Sequence, residues 1–392
     1  MKYDFDKVID RRGTDAKKFD PSMVPNGVLP FWVADTEFES PIEVKDAMMK
    51  RLELGHFGYP YYDSRFEESV ARWYKVRHKT ELNPKYIDFS PCVIPALIWA
   101  VNEFSSVGDK VLLQTPVYHM FHLLIKNTGR QLIFNEMLLK DDRYEIDFED
   151  LERKLKKPDV KVMFICNPQN PVGKVFTREE LTKIGNLCIE NNVMIVVDEV
   201  HADIIYDKKE FLPFCSISEK FANNSITFIN PAKTFNIAGL RTAAWFTHNE
   251  NIYNRMMNQQ NYTKNGERTI LGVEGFIAAY TYGDEYADQC LEYLQDTRDA
   301  ALKYIKENIP SLKVIAPEAT FLMWLNFREL GFKTQKELKD FLLNKAKVLL
   351  SDGVTFGAEG GFGHMRFNFG DRREVVLEGL RRIKVAIDEL KK

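Results

Sequence analysis

Disulfide chemistry and metal ligation have little to work with in this chain. Its five cysteines, Cys92, Cys166, Cys188, Cys215 and Cys290, show no paired spacing, which argues against a disulfide framework and a cysteine-based zinc site. The seven histidines are equally dispersed. His119 and His122 stand three apart, but no neighbouring carboxylate or cysteine completes a metal-ligand set. No apolar run reaches the roughly 18 residues of a membrane-spanning helix. The opening stretch, "MKYDFDKVIDRRGTDAKKFD", is charged from its start and lacks the apolar core of a signal peptide, which predicts a cytoplasmic protein. An excess of one charge is missing too: 54 Lys and Arg face 57 Asp and Glu, for a formal net charge of -3. That balance argues against nucleic acid or an anionic membrane as partner and favours a small-molecule role. Internal repeats and low-complexity tracts are also absent.

What is present is 392 residues of ordinary globular composition, 45% hydrophobic and 28% charged, enough for two domains and a large core. Between about residues 85 and 250, short β-type runs alternate with helical patterns: "KVLLQT", "QLIFNEM", "VKVMFIC", "VMIVVDE", "SITFIN" and "TAAWFT". Such alternation predicts βα units and a mainly parallel sheet. "TREELTKIGNLCIENN" carries Thr177 and, three residues on, Glu180, the signature of a capped helix start. A long amphipathic helix is expected to run up to Pro310, followed by a smaller α+β unit. The first 45 or so residues show few regular patterns.

In an open parallel sheet, ligands bind beyond the carboxyl ends of the strands, and the unusual polar residues fall there. "VKVMFICNPQNPVG" ends with Asn167 and Asn170, "VMIVVDEVH" with Asp198, Glu199 and His201, and "SITFINPAK" with Lys233. A fourth run, "PKYIDFSPCVIPALIW", leads straight into a helix start at Cys92, Val93 and Ile94, whose free amides suit a phosphate. Taken singly, these are a turn, a core carboxylate and a loop lysine. Together, an amine, a carboxylate, an amide donor and an anion site are what pyridoxal 5'-phosphate requires.

"NPQNPVGKVF", "VVDEVHADI", "NPAKTFNIAGLR" and "MRFNFG" resemble, in order and spacing, the motifs of fold-type I pyridoxal-phosphate enzymes of the aspartate aminotransferase superfamily. The stretches "FDKVIDRRGTDAKKFD", "LPFWVADTEFESP", "FGYPYY", "QTPVYHMF" and "PEATFLMWLNF" are similar to the cystathionine β-lyase-like carbon-sulfur lyases within it. The resemblance implies an α/β fold: a large domain over 48–285 with a mainly parallel seven-stranded sheet flanked by helices, and a smaller α+β domain from 1–47 and 286–392. The chain departs from that pattern at Thr36 and Glu37 (usually Met-Asp), Cys92 (glycine), Gln169 (histidine) and Asn230 (Ser or Thr).

The same resemblance assigns roles. Lys233 is expected to bond to the cofactor and act as the base at the substrate Cα. Asp198 pairs with the pyridine nitrogen, Asn170 donates to the ring oxygen, and Tyr118 stacks on the ring. The phosphate falls to Val93, Ile94, Asn230 and Arg241, and to Tyr59 reaching across from a second subunit, which implies a homodimer with shared active sites. His201 stands where many aminotransferases place a tyrosine on the ring oxygen, and its contact with the cofactor stays open. Arg366 and Asn170 hold the carboxylate of an amino-acid substrate, and Asp35 lines the entrance. The leading expectation is β-elimination from cysteine conjugates such as L-cystathionine to pyruvate, ammonia and a thiol. Transamination needs the same residues and remains the alternative, with a regulator acting through protein contact, and a cofactor-free binding protein, kept as further ones.

Overall fold

The computed structural model describes residues 2–140 and 143–390. Seven strands form the large sheet, in the order Ile87–Ser90, Ala243–Phe246, Ser225–Ile229, Met194–Asp198, Val160–Cys166, Lys110–Thr115 and Gln131–Glu136. Only Ala243–Phe246 runs antiparallel to its neighbours. The central strands are apolar runs because helices cover both faces, leaving no solvent side to call for alternation. On one face, Trp99, Phe121 and Met256 pack against Val111, Val196 and Trp245. On the other, Leu181, Ile184 and Phe221 pack against Leu112, Ile195 and Val197.

Helix Arg178–Glu190 starts as its sequence requires: the Glu180 amide donates to Thr177 Oγ1 (3.2 Å) and the Thr177 amide to Glu180 Oε2 (2.9 Å). The long helix is Asp284–Asn308. The expected domain boundaries, 47/48 and 285/286, fall within helices Ile42–Leu52 and Asp284–Asn308. Among the described residues no helix is long and apolar enough to cross a membrane, and no cluster of potential metal ligands occurs.

A second, five-stranded sheet has the order Leu29–Phe31, Val348–Asp352, His364–Asn368, Leu322–Asn326, Lys313–Val314. Its first strand comes from the N-terminal segment and pairs parallel with Val348–Asp352. The other pairings are antiparallel. The chain start is anchored by Phe5, whose ring lies 5.2 Å from Phe38 and 5.5 Å from both Tyr286 and Tyr293. Few regular patterns therefore means a segment ordered by aromatic packing and by one short strand.

Register does the positioning. Cys166 pairs with Asp198 and Asp198 with Phe228, so the three neighbouring strands end level and their Asn, Asp and Lys loops leave side by side. The Asn loop is pinned at Gly173, whose carbonyl accepts from the amides of Glu318 (2.9 Å) and Ala319 (3.0 Å). Gly173 has φ +71°, and a Cβ there would meet the Pro317 side chain at 2.5 Å, so only glycine fits.

Glu199 follows Asp198 but turns away from the site. It is 1% exposed, takes the Tyr74 hydroxyl (2.8 Å) and the Phe214 amide (2.8 Å), and burial pushes its pKa up to about 7. The folded chain thus keeps this proton across a window, from the ordinary 4.5 to about 7, in which the unfolded chain has released it. Stability falls as pH rises through that window. Glu199→Gln is expected to reduce the loss of unfolding free energy between about pH 5 and pH 8 by roughly 2 kcal/mol, measured by urea denaturation at several pH values. An unchanged slope would refute the assignment.

Candidate active site

Lys233 stands on the short helix Ala232–Phe235, immediately beyond strand Ser225–Ile229. The turn is held from three directions. Asn230 Oδ1 accepts from the Ala232 amide (2.8 Å), Thr234 Oγ1 donates to Asp203 (2.8 Å), and Asn236, left-handed at φ 55°, closes the end. Lys233 Nζ donates to the carbonyl of Ala34 at 2.6 Å. Burial first, and then the Arg366 cation, pull its pKa down to about 8, against the opposing pull of Asp35 and Asp198. Such an amine gives up its proton far more readily than a surface lysine.

Asp198 sits at the end of its strand, with Oδ1 accepting from the Val200 amide (3.0 Å). Burial raises its pKa to about 6, opposed by that amide and by Lys233. His201 is 5% exposed and its Nδ1 has no partner among the described residues. Burial, then Lys233 and Arg366, push its pKa well down, so the imidazole is neutral. Tyr118 precedes helix His119–Asn127, and burial lifts its hydroxyl to about 12, with Arg366 and Asp198 acting on it in opposite senses.

Arg366 lies on the buried strand His364–Asn368 of the small sheet and is 3% exposed. Its partners are all neutral: Asn170 Oδ1 (3.2 Å), the Trp32 carbonyl (2.8 Å), Ser351 Oγ (3.1 Å) and the face of Phe356 (5.0 Å). Nε has no partner. Among the described residues no carboxylate pairs with it, an arrangement that invites a planar anion from outside.

Helix Val93–Phe104 opens at Cys92 without a side-chain cap. Pro95 contributes no amide, so Val93 and Ile94 carry the free N–H groups of the first turn. Gln169, which departs from the expected histidine, donates to the carbonyls of Gln114 (3.1 Å) and Pro116 (2.8 Å) and so ties the Asn loop to the strand leading to Tyr118. Asn167 closes its own loop by accepting from the Phe176 amide (3.1 Å). Lys233, Asp198, Asn170, Tyr118, His201 and Arg366 thus gather at one site, called the chamber below: Arg366 bonds Asn170 and acts electrostatically on Lys233, His201 and Tyr118, and Asp198 acts on Lys233 and Tyr118. Arg241 is exposed, and Tyr59 is 98% exposed, on a stretch that also exposes Phe57 and Tyr61.

Four groups that the motifs did not single out complete the site. Lys18, 1% exposed, lies 2.9 Å from Glu37, and Arg11 bonds Asp35 (3.0 Å) and Glu37 (2.8 Å). Asn236 donates to the Phe38 carbonyl (2.8 Å), and fully buried Asn368 holds the segment before it. The signals were faint: Arg11 and Lys18 lie in a segment without secondary-structure pattern, and Asn368 is marked only by sharing a strand face with Arg366, two residues away.

Pyridoxal phosphate fits these groups. An easily deprotonated amine would be there for the aldehyde, a carboxylate for the ring nitrogen, and free helix amides for the phosphate. The guanidinium, which has only neutral partners, would be left free for a substrate carboxylate.

The aminotransferase class I and II family model matches residues 28–383. Cystathionine beta-lyase PatB of Bacillus subtilis (strain 168) is 38% identical over 392 residues, covering 98% of this chain and 99% of that protein. The cystathionine beta-lyase of Corynebacterium glutamicum is 33% identical, covering 92% and 94%. Among solved structures, cystalysin from Treponema denticola, which contains a pyridoxal 5'-phosphate cofactor, superposes with a TM-score of 0.96 at 34% identity, covering 100% of both chains. Three strand-end motifs and a mid-strand arginine gathered at one site, a mainly parallel sheet with one reversed strand, and a match spanning nearly the whole length place this chain in the aminotransferase class I and II family.

Proposed function

We propose that the protein is a pyridoxal-phosphate-dependent carbon-sulfur β-lyase that converts L-cystathionine or a related cysteine thioether, with water, into pyruvate, ammonia and a thiol. The observation that carries this is the buried Arg366, without an acidic partner, in the chamber that holds Lys233. It offers a grip for an α-carboxylate beside an amine ready to take the α-proton. Similarity to cystathionine β-lyases from two genera supports elimination over transamination.

Pyridoxal phosphate, when bound, supplies an aldehyde for the substrate amine and a ring that withdraws electrons from Cα. The chain does the rest. Arg366 takes both carboxylate oxygens in one plane, with Asn170 fixing the guanidinium. Lys233 removes the proton from Cα, and thiolate departs from Cβ with the C–S bonding pair. Water then hydrolyses the resulting aminoacrylate to pyruvate and ammonia. Asp198 would keep a proton on the ring nitrogen, and the amides of Val93 and Ile94 would hold the phosphate, with Asn230 and Arg241 adding donors. His201, being neutral, would offer either a donor or an acceptor to a ring placed beside it without adding charge.

The active form is a homodimer. The exposure of Tyr59, on a stretch where Phe57 is 56% and Tyr61 90% exposed, favours a role on the neighbouring subunit's phosphate over one in its own site. An equimolar mixture of Tyr59→Ala and Lys233→Ala chains, dissociated and reassembled, is then expected to recover about a quarter of wild-type activity, because half the dimers are hybrids with one intact site. Recovery no greater than the sum of the parents would refute the shared site.

The reaction class is tested by incubating the holoenzyme with L-cystathionine and, separately, with amino acids plus 2-oxoglutarate. Sustained release of pyruvate and thiol without a keto-acid acceptor is expected, and turnover that requires the acceptor and frees no thiol would overturn the lyase reading. Arg366→Lys should lower kcat/KM about 100-fold, mainly through KM, since an ammonium cannot grip two coplanar oxygens. An unchanged KM would remove Arg366 from the substrate.

A further inference from the structure

Four consecutive carbonyls, those of Trp32, Val33, Ala34 and Asp35, each accept a hydrogen bond from a side chain at the chamber. Trp32 takes Arg366 Nη2 (2.8 Å), Val33 takes Asn368 Nδ2 (2.5 Å), Ala34 takes Lys233 Nζ (2.6 Å) and Asp35 takes Asn368 Nδ2 (2.7 Å). Asn368 is fully buried, and its Oδ1 accepts from the Gly370 amide at 2.8 Å. A backbone amide can only donate, so this contact fixes the carboxamide with its oxygen toward Gly370 and both Nδ2 hydrogens toward the segment.

The geometry matters because of which carbonyls are clamped. The Ala34 carbonyl belongs to the peptide lying between the two that Asn368 grips. With its flanking peptides held, that carbonyl keeps one direction, and it is the one hydrogen-bond acceptor of Lys233 Nζ among the described residues. Neither Asn236, which engages Thr36 and Phe38 further along, nor Arg366, which holds Trp32, brackets Ala34 in this way.

We propose that Asn368 is a positioning residue for Lys233. By clamping the carbonyls on both sides of Ala34, it aims the Ala34 carbonyl at the lysine amine and so sets where that amine stands whenever it is not bonded to the cofactor. The inference rests on the reading of Lys233 as the proton-transferring lysine. In the lyase, Asn368 therefore governs the proton-transfer step without touching the substrate. A flexible four-carbon stem otherwise has many rotamers of similar energy, and one acceptor held at a fixed place selects among them. The carbonyl also stabilises the protonated amine, since an acceptor favours the charged form.

The test uses Asn368→Ala, with Asn368→Ser, which keeps one donor, as the milder companion, and Ala34→Gly, which loosens the same peptide while leaving Asn368 in place. In protein freed of cofactor, the pH dependence of Lys233 acetylation by acetic anhydride, followed by peptide mass spectrometry, reports the amine's pKa. The wild-type midpoint is expected near 8, and Asn368→Ala should move it down by about half a unit or more as the ammonium loses its acceptor. Asn368→Ser and Ala34→Gly should shift it less, in the same direction. In the holoenzyme, kcat for the thioether should fall about tenfold or more while KM changes less than about twofold, because Arg366 and Asn170 are kept. A lower melting temperature with midpoint and kcat unchanged would show a merely structural asparagine and overturn the proposal. So would a raised KM at constant kcat. A shifted midpoint with constant kcat would leave the positioning standing and instead remove Lys233 from the rate-determining chemistry.

Discussion

A guanidinium buried without a counter-ion is the constraint around which this site is organised. Taking a cation out of water costs several kcal/mol even after the protein relaxes, and an acidic partner would have offset that cost. Instead, Arg366 is solvated by a carboxamide, a hydroxyl, a backbone carbonyl and an aromatic face. Its positive field is consequently left unneutralised and acts on whatever else shares the chamber. Two cations there compete for the same low-dielectric space. Burial brings the guanidinium only down to about 10, whereas the lysine, starting two units lower, arrives at about 8. At neutral pH the lysine is the one closer to yielding its proton, and the arginine keeps its charge for a carboxylate.

The fold makes this arrangement possible by joining two sheets through one strap of backbone. Lys233 and Asp198 come from level strand ends of the large sheet, and Arg366 from the middle of a strand in the small one. Residues 32–40 run between them. On one side they bond Arg366, Asn368 and Gly370, and on the other Lys233 and Asn236. Because the strap is irregular, its carbonyls are free of sheet pairing and can serve as acceptors.

How much of this was legible in the sequence depended on whether the signal was local. Apolar runs ending in Asn, Asp and Lys betray parallel strands and the edge that binds ligand, so the large sheet and its three loops can be read directly. The reversed strand Ala243–Phe246 carries no mark of its direction, since burial on both faces makes either sense look alike. Glu199, adjacent to Asp198, could not be told from it by position. Only the three-dimensional neighbours, Tyr74 and Phe214, reveal it as part of the core. The strap resisted reading for a different reason: its work is done by backbone carbonyls, which every residue possesses. Val33 and Ala34 are unremarkable as side chains, and Asn368 acquires meaning only when the segment it clamps is known to lie more than 330 residues away in the chain.

The charged cluster behind the strap completes the electrostatic logic. Asp35 is near enough to Lys233 to raise its pKa and, standing free, would hold the amine in its protonated form. It does not stand free. Arg11 bonds it at 3.0 Å and Lys18 lies 3.7 Å away, so much of its charge is already spent. Glu37 is the second anchor, bonding Arg11 at 2.8 Å and lying 2.9 Å from Lys18, and its length lets one carboxylate reach both cations. Burial pushes the neighbouring Asp371 up to about 6, with Lys18 pulling the other way. The cluster thus balances much of its charge locally, and Asp35 opposes rather than overrides the burial and Arg366 that lower Lys233. Lys233 answers chiefly to its own burial and to Arg366, and a substrate carboxylate that neutralises Arg366 would raise the basicity of the lysine at the moment it has a proton to accept.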